Sequence, residues 1–121
     1  MKTTKKSFES FKKYCREYQK EFGLMHYTLY FELGECEGFA HNNVGDMYVA
    51  TITLNHKYNK EDYADSTHEE CLKDTARHEM LHVIIGKLYY LAFRRHASSS
   101  EILSADEEAV SIMENLLGEV K

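Results

Sequence analysis

The sequence lacks the features that would assign the chain to a membrane or secreted class. No apolar run approaches the length of about 18 residues that a membrane-spanning helix needs. Residues 2–6, which are all Lys or Thr, lead into an amphipathic pattern, so we expect no signal peptide and no membrane partner. Repeats, linkers and low-complexity segments are missing. Proline and tryptophan are absent as well, but neither absence decides a function class.

Cysteine is too scarce and too scattered for a disulfide framework. Cys15, Cys36 and Cys71 are odd in number, widely spaced and without a C-x-x-C pair. A zinc site built from cysteines is therefore not expected either. A reducing cytoplasm is the compartment that this cysteine usage favours.

The chain has the size and composition of one globular domain over residues 1–121. It is 43% hydrophobic and 29% charged, with a net charge of −5. The charge is uneven, because residues 1–20 carry seven Lys or Arg against two Glu, while the rest carries eight against eighteen acids. A basic arm could contact nucleic acid or an acidic protein, but no nucleic-acid-binding motif accompanies it, and a solvated helix face is the simpler interpretation.

Hydrophobic periodicity predicts a helix followed by three strands. Apolar residues recur every three or four positions over residues 4–22, and Gly23 ends that pattern. Alternation of apolar and polar residues predicts strands at 25–33, 36–42 and 47–55, with a turn over residues 42–46. Short connections between them predict a three-stranded antiparallel meander.

Two further helices are expected after a polar loop at residues 55–65. Ser66 with Glu69 reads as a capping box that begins a long helix to about Ala92. Residues 93–104 read as a loop, and a last helix runs from Ser104 or Asp106 to about Leu117. The sequence therefore predicts an α+β fold.

The central helix contains the motif H-E-x-x-H at residues 78–82. His78 and His82 are separated by a little more than one helical turn, so both imidazoles project from one face and can bind one metal ion. Glu79 lies a step around the helix, where its carboxylate can reach a metal-bound water. Two imidazoles, a carboxylate and an open position are the requirements of a catalytic Zn²⁺.

A third protein ligand is expected, and the residues alone leave it open. The extension H-E-x-x-H-x-x-G-x-x-H fails, because Ile85 and Leu88 occupy its Gly and last His positions. The nearby alternatives toward the C-terminus are acids and one histidine: Glu101, Asp106, Glu107, Glu108, Glu114 and His96.

The segment Glu108-Ala109-Val110-Ser111 resembles the second motif of gluzincin metallopeptidases, in which a helical Glu downstream of H-E-x-x-H is the third ligand. The whole arrangement resembles minimal gluzincins and SprT-like or phage-type metallopeptidases. The resemblance implies a zincin-like domain with an N-terminal helix, a small sheet with an edge strand, the motif helix and a Glu-bearing helix. It also implies His78, His82 and Glu108 as zinc ligands and Glu79 as the catalytic carboxylate.

Some positions depart from that pattern. Ile112 occupies the place where gluzincins often have an acid that orients a ligand histidine, which leaves Asn115 as a substitute. Helical spacing favours Glu108 over Glu107, since Glu107 falls on the wetter side. His96 is the SprT-like rival, although Ala97 and three serines follow it instead of that family's His-Gly pattern.

The expected activity is hydrolysis of a protein or peptide by a zinc-activated water, with Glu79 as general base. An extended substrate would pair with residues 47–54 as an exposed strand edge. Donors for the oxyanion would come from one set of polar side chains: Tyr63, Tyr89, Tyr90, Arg94 and His96. The alternatives are a zinc-stabilised binding or regulatory module and a protease directed to nucleic acid by the basic N-terminal helix.

Overall fold

The computed structural model describes residues 2–45, 47–58, 67–93 and 98–118, with no side-chain description for Phe93 and residues 115–118. The described chain contains three helices and a three-stranded sheet, an α+β fold. In chain order the elements are α1 (Lys5–Glu21), β1 (Thr28–Gly34), β2 (Ala40–Val44), β3 (Val49–Asn55), α2 (His68–Phe93) and α3 (Ser99–Gly118).

Helix α1 forms where the sequence pattern predicts it. Thr4 is the N-cap, and its side chain accepts a hydrogen bond from the Ser7 backbone N–H. Phe11 and Cys15 on its apolar stripe are fully buried. The helix ends before Gly23, whose φ of 72° is a left-handed conformation that glycine adopts at low cost.

The sheet has the order β1-β3-β2, with β3 in the centre. β1 runs parallel to β3, from Thr28 opposite Val49 to Gly34 opposite Asn55. β2 runs antiparallel to β3, from Ala40 opposite Leu54 to Val44 opposite Ala50. The sheet is therefore mixed, and the prediction of a three-stranded antiparallel meander was wrong.

The connection between β1 and β2 explains why the two strands do not pair. It crosses the end of β3, where the Asn55 side-chain amide donates to the carbonyls of Cys36 and Gly38, both at 2.9 Å. The backbone amide of His56 donates to the carbonyl of Gly34 at 2.9 Å. The end of β3 thus occupies the space that a β1–β2 hairpin would need.

Strand β2 begins and ends later than the sequence pattern suggested. Asn42 and Asn43 belong to the strand and not to a turn, and the turn lies beyond Gly45. Met47 and Tyr48 within that turn have φ values of 59° and 58°, which is strained backbone for residues other than glycine.

Helices α2 and α3 each begin with a capping box. For α2, Thr67 and Glu70 exchange hydrogen bonds at 3.1 and 3.2 Å, one residue later than the predicted pair of Ser66 and Glu69; Ser66 lies outside the described residues. For α3, Ser98 and Glu101 do the same at 3.1 Å. The last helix therefore starts at Ser99, and the prediction of a loop through residue 104 was wrong.

One hydrophobic cluster joins the helices and the sheet. The central strand contributes its alternate residues Ala50, Ile52 and Leu54, all fully buried, as the alternation predicted. Helix α2 contributes the residues expected to form its core side, including Leu72, Ala76, Met80 and Val83. No helix in the described residues is long and apolar enough to cross a membrane.

Candidate active site

A cleft of about 820 Å³ lies between the edge strand β2 and helix α2. All five residues of β2 line it on one side. The other side is formed by one strip of α2, the residues His78, Glu79, His82, Ile85, Gly86, Tyr89 and Tyr90. The H-E-x-x-H motif therefore lies in an open cleft next to a strand edge, which is a typical position for a binding site.

His78 and His82 face each other across one turn of α2. Their Nε2 atoms lie 3.2 Å apart, and their ring centroids are separated by 4.7 Å. Two nitrogen ligands at about 2.0–2.1 Å from a tetrahedral zinc would be separated by about 3.3 Å. The spacing of the pair therefore fits two positions of one metal ion.

Glu79 lies between the histidines in sequence but points to the buried side of the cleft. The residue is only 5% exposed, and its Oε2 accepts a hydrogen bond from Asn42 Nδ2 on β2 at 2.6 Å. A buried carboxylate without a donor would be costly, so this contact accounts for its burial. Among the described residues, none forms a hydrogen bond with the other carboxylate oxygen, Oε1.

Glu108 contacts residues from three other parts of the fold. Its Oε1 lies 3.0 Å from His26 Nε2, and its Oε2 accepts from the Tyr48 hydroxyl at 3.2 Å and from Lys87 Nζ at 3.4 Å. Lys87 also donates to the Tyr48 hydroxyl at 3.1 Å. We call these four residues, His26, Tyr48, Lys87 and Glu108, the Glu108 clasp. The clasp connects α3 to α2 and to the segments that immediately precede β1 and β3.

The Glu108 clasp lies on a different side of α2 from the histidines. At about 100° per residue, Lys87 is roughly 140° around the helix from His82. Within the described ranges, no three His, Cys, Asp or Glu side chains lie close enough to hold a metal ion together. The structure thus brings His78, His82 and Glu79 to one cleft and does not bring Glu108 to them.

The other residues singled out by the sequence line the cleft, lie on α3 away from it, or fall outside the described residues. Tyr89 and Tyr90 line the cleft. Glu107 is exposed on α3, and Ile112 is buried in the core. Four of the residues predicted to contribute to the site lie outside what the structure describes: Tyr63, Arg94, His96 and the side chain of Asn115.

The charges of Glu108 and Glu79 contribute to raised pKa values at three neighbouring residues. The hydrogen bond to Tyr48, together with the neighbouring Glu108 carboxylate, raises the pKa of Lys87 above its ordinary value and keeps its ammonium charged. Burial, followed by the charge of Glu108, raises the pKa of Tyr27 to about 12. Burial first, and the Glu79 charge second, raise the pKa of the Cys15 thiol, which makes that cysteine unreactive.

Sequence reasoning missed Asn42, His26 and Lys87. The alternation Ala40, Asn42, Val44 placed a polar residue between two apolar ones, which signals a buried polar partner, but the Asn-Asn pair read as a turn. His26 and Lys87 carry no local signal, because their partner Glu108 is 82 and 21 residues away in the chain.

Comparison of the chain with protein-family models, with curated proteins and with solved structures finds no match. The interpretation of the cleft therefore depends on its own residues and their geometry.

Proposed function

We propose that the chain is a zinc-dependent metallopeptidase with a zincin-like domain of minimal gluzincin or SprT-like type, acting in the cytoplasm. The observation that carries the proposal is the grouping of His78, His82 and the buried Glu79 in one cleft beside an edge strand. His78 and His82 would hold the Zn²⁺ through Nε2, because the spacing of these atoms fits a tetrahedral ion.

The chemistry divides between the metal and the chain. Bound zinc would acidify a water molecule and polarise the carbonyl of the scissile peptide bond. Glu79 would accept the proton of the attacking water at Oε1, since Asn42 occupies Oε2. The same oxygen would return the proton to the leaving amine nitrogen, which is general acid–base catalysis by one carboxylate.

The third ligand is proposed from three residues. Glu108 is the choice by resemblance, but it would have to leave the Glu108 clasp and cross to another side of α2. Glu107 precedes Glu108 on α3 and is exposed, and His96 lies in the segment between α2 and α3. A third nitrogen or oxygen donor is needed because two histidines leave a catalytic zinc weakly held.

The proposed substrate is an extended peptide that pairs with β2. The earlier assignment of this role to residues 47–54 was wrong, because β3 is central and paired on both sides. β2 is an edge strand and lines the cleft, so its outer backbone groups can bind a peptide without requiring particular side chains. Tyr89 and Tyr90 are the described candidates for donating to the oxyanion.

The first test measures zinc by elemental analysis and cleavage of denatured proteins and peptide libraries. Glu79→Gln should retain zinc and lose about 10²–10⁴-fold in kcat, because only the proton acceptor is removed. His82→Ala should lose both zinc and cleavage. Asp74→Asn, an exposed change on the same helix, should alter neither. Full cleavage by Glu79→Gln would reject the mechanism.

A second candidate is a zinc-stabilised binding or regulatory module. The placement of Glu108 in the clasp favours it, because the described residues then offer only two ligands near each other. Zinc-loaded protein that cleaves no peptide or denatured protein but captures a folded partner would support this alternative.

A further inference from the structure

Two polar side chains meet where an apolar contact would be expected, between the sheet and α2. Asn42 lies opposite Ile52 in the register, so it occupies the same face of the sheet as the fully buried Ala50, Ile52 and Leu54 of β3. Glu79 approaches it from α2 and is 5% exposed. Their 2.6 Å hydrogen bond, from Nδ2 to Oε2, is short, as expected when the acceptor is ionised.

A close approach of the two elements makes this contact possible. Gly86 is seven residues after Glu79, on the same strip of α2, and Val44 is two residues after Asn42, on the same face of β2. A methyl group on Gly86 would overlap the Val44 side chain. Glycine at this position therefore lets β2 lie close enough for the short Asn42 side chain to reach Glu79.

We propose that Asn42 is a positioning residue for Glu79, an inference that rests on the peptidase function proposed above. The amide binds Oε2 and leaves Oε1 for proton transfer, so the carboxylate is oriented before substrate arrives. Asn is a neutral donor and does not neutralise the carboxylate as Lys or Arg would. Among the described residues, no ion pair to Glu79 competes with it.

The same strand then has two roles in the proposed reaction. β2 presents its outer edge to the peptide, and its inward side chain at Asn42 orients the base. A substrate that pairs with β2 is thereby placed in a fixed position relative to Glu79, because the peptide pairs with the backbone of β2 and Glu79 is bound by a side chain of the same strand. A peptide aligned along β2 is therefore also aligned with the catalytic carboxylate.

The kinetic test compares zinc-loaded Asn42→Ala and Asn42→Asp with Thr51→Ala. Thr51 lies on β3 opposite Asn43, on the other face of the sheet from Asn42 and outside the lining of the cleft, and is the control. Asn42→Ala should lower kcat about 10–100-fold, the usual effect of removing a group that orients a functional residue, with KM within about twofold and zinc content unchanged. Asn42→Asp should lower kcat at least as much, because two carboxylates repel each other. Thr51→Ala should match the wild type.

A spectroscopic test does not depend on activity or metal. In the ¹H–¹⁵N spectrum of the metal-free protein, one side-chain amide proton of Asn42 should be shifted downfield by its bond to Glu79. Glu79→Ala should return that proton to an ordinary position and leave the Asn43 amide unchanged. This comparison also decides the inference if Asn42→Ala fails to fold.

The outcomes separate this inference from the peptidase function. Wild-type kcat in Asn42→Ala, an unshifted Asn42 amide, or loss of zinc from Asn42→Ala would each overturn the positioning role while an active wild type keeps the peptidase proposal. A zinc-loaded wild type without any cleavage would reject the peptidase proposal, and the positioning role with it.

Discussion

Glu108 shows how a single residue can satisfy a sequence motif and still occupy a different environment. The sequence predicts it as a zinc ligand, yet its two oxygens contact His26, Tyr48 and Lys87. The side chain is 22% exposed, so these bonds are partly shielded from solvent and still screened by it. The contacts indicate a tether for α3 at this position.

The variant Glu108→Gln distinguishes a role of Glu108 in holding α3 to the rest of the fold from a role as a zinc ligand. The Glu108 clasp predicts a loss of stability of about 1 kcal/mol or less, discounted for partial exposure, with zinc affinity within about twofold of wild type. Thermal unfolding and zinc titration measure the two effects. Ser111→Ala, an exposed change on α3 at a residue that is not a candidate ligand, is the control. A tenfold or greater fall in zinc affinity would instead identify Glu108 as a ligand.

Tyr27 should make the protein sensitive to alkali. Its pKa is raised to about 12, mainly by burial, above the ordinary value of 10.0, so the unfolded chain releases this proton first as pH rises. Stability is therefore full below about pH 10 and falls by up to about 1.4 kcal/mol per pH unit between the two values. Denaturant unfolding of Tyr27→Phe should show a weaker decline over that range. An identical decline in both proteins would contradict this assignment.

At the scale of elements, the packing of α2 against β2 depends on a missing side chain. Gly86→Ala should destabilise the protein by about 1–3 kcal/mol, because overlap with Val44 outweighs the gain of up to about 1 kcal/mol in helix propensity. Chemical denaturation measures the change. Val44→Ala should recover part of it in the double variant, and purely additive effects would show that the two residues do not contact each other.

The elements themselves could largely be predicted from the sequence, but their arrangement could not. The stripe around Phe11 and the alternation of Ala50, Ile52 and Leu54 are local patterns, and both appear in the structure as expected. A period of two residues does not say which strand is the neighbour, so the central position of β3 was missed. The Ser98 capping box was also overlooked, since the serine-rich segment around it resembles a loop.

The candidate site could be predicted to the extent that it is local. His78, Glu79 and His82 are set by helix geometry alone, and the structure groups them in the cleft. Asn42 and Glu108 depend on how distant elements pack, which no spacing within one element encodes. The placement of Glu108 was accordingly inferred from resemblance, and it stays a prediction as a ligand.

At the scale of the whole molecule, stability should be uneven. β3 is paired on both sides and its alternate side chains are fully buried. Among its described side chains, α3 buries mainly Ala105, Ala109 and Ile112 and leaves other apolar residues exposed. Native-state hydrogen exchange should therefore be slowest in β3 and the middle of α2 and faster throughout α3. Protection of α3 equal to that of β3 would contradict this order.

The central place of β3 has a consequence for synthesis on the ribosome. β1 and β2 emerge first but are not neighbours, so neither has its native partner until residues 49–55 appear. The nascent chain therefore exposes two strands with open backbone groups during that interval, when association with other chains is most favourable. Slower translation just before β3 would lengthen this vulnerable period, whereas a pause after it would give the hairpin of β2 and β3 time to recruit β1.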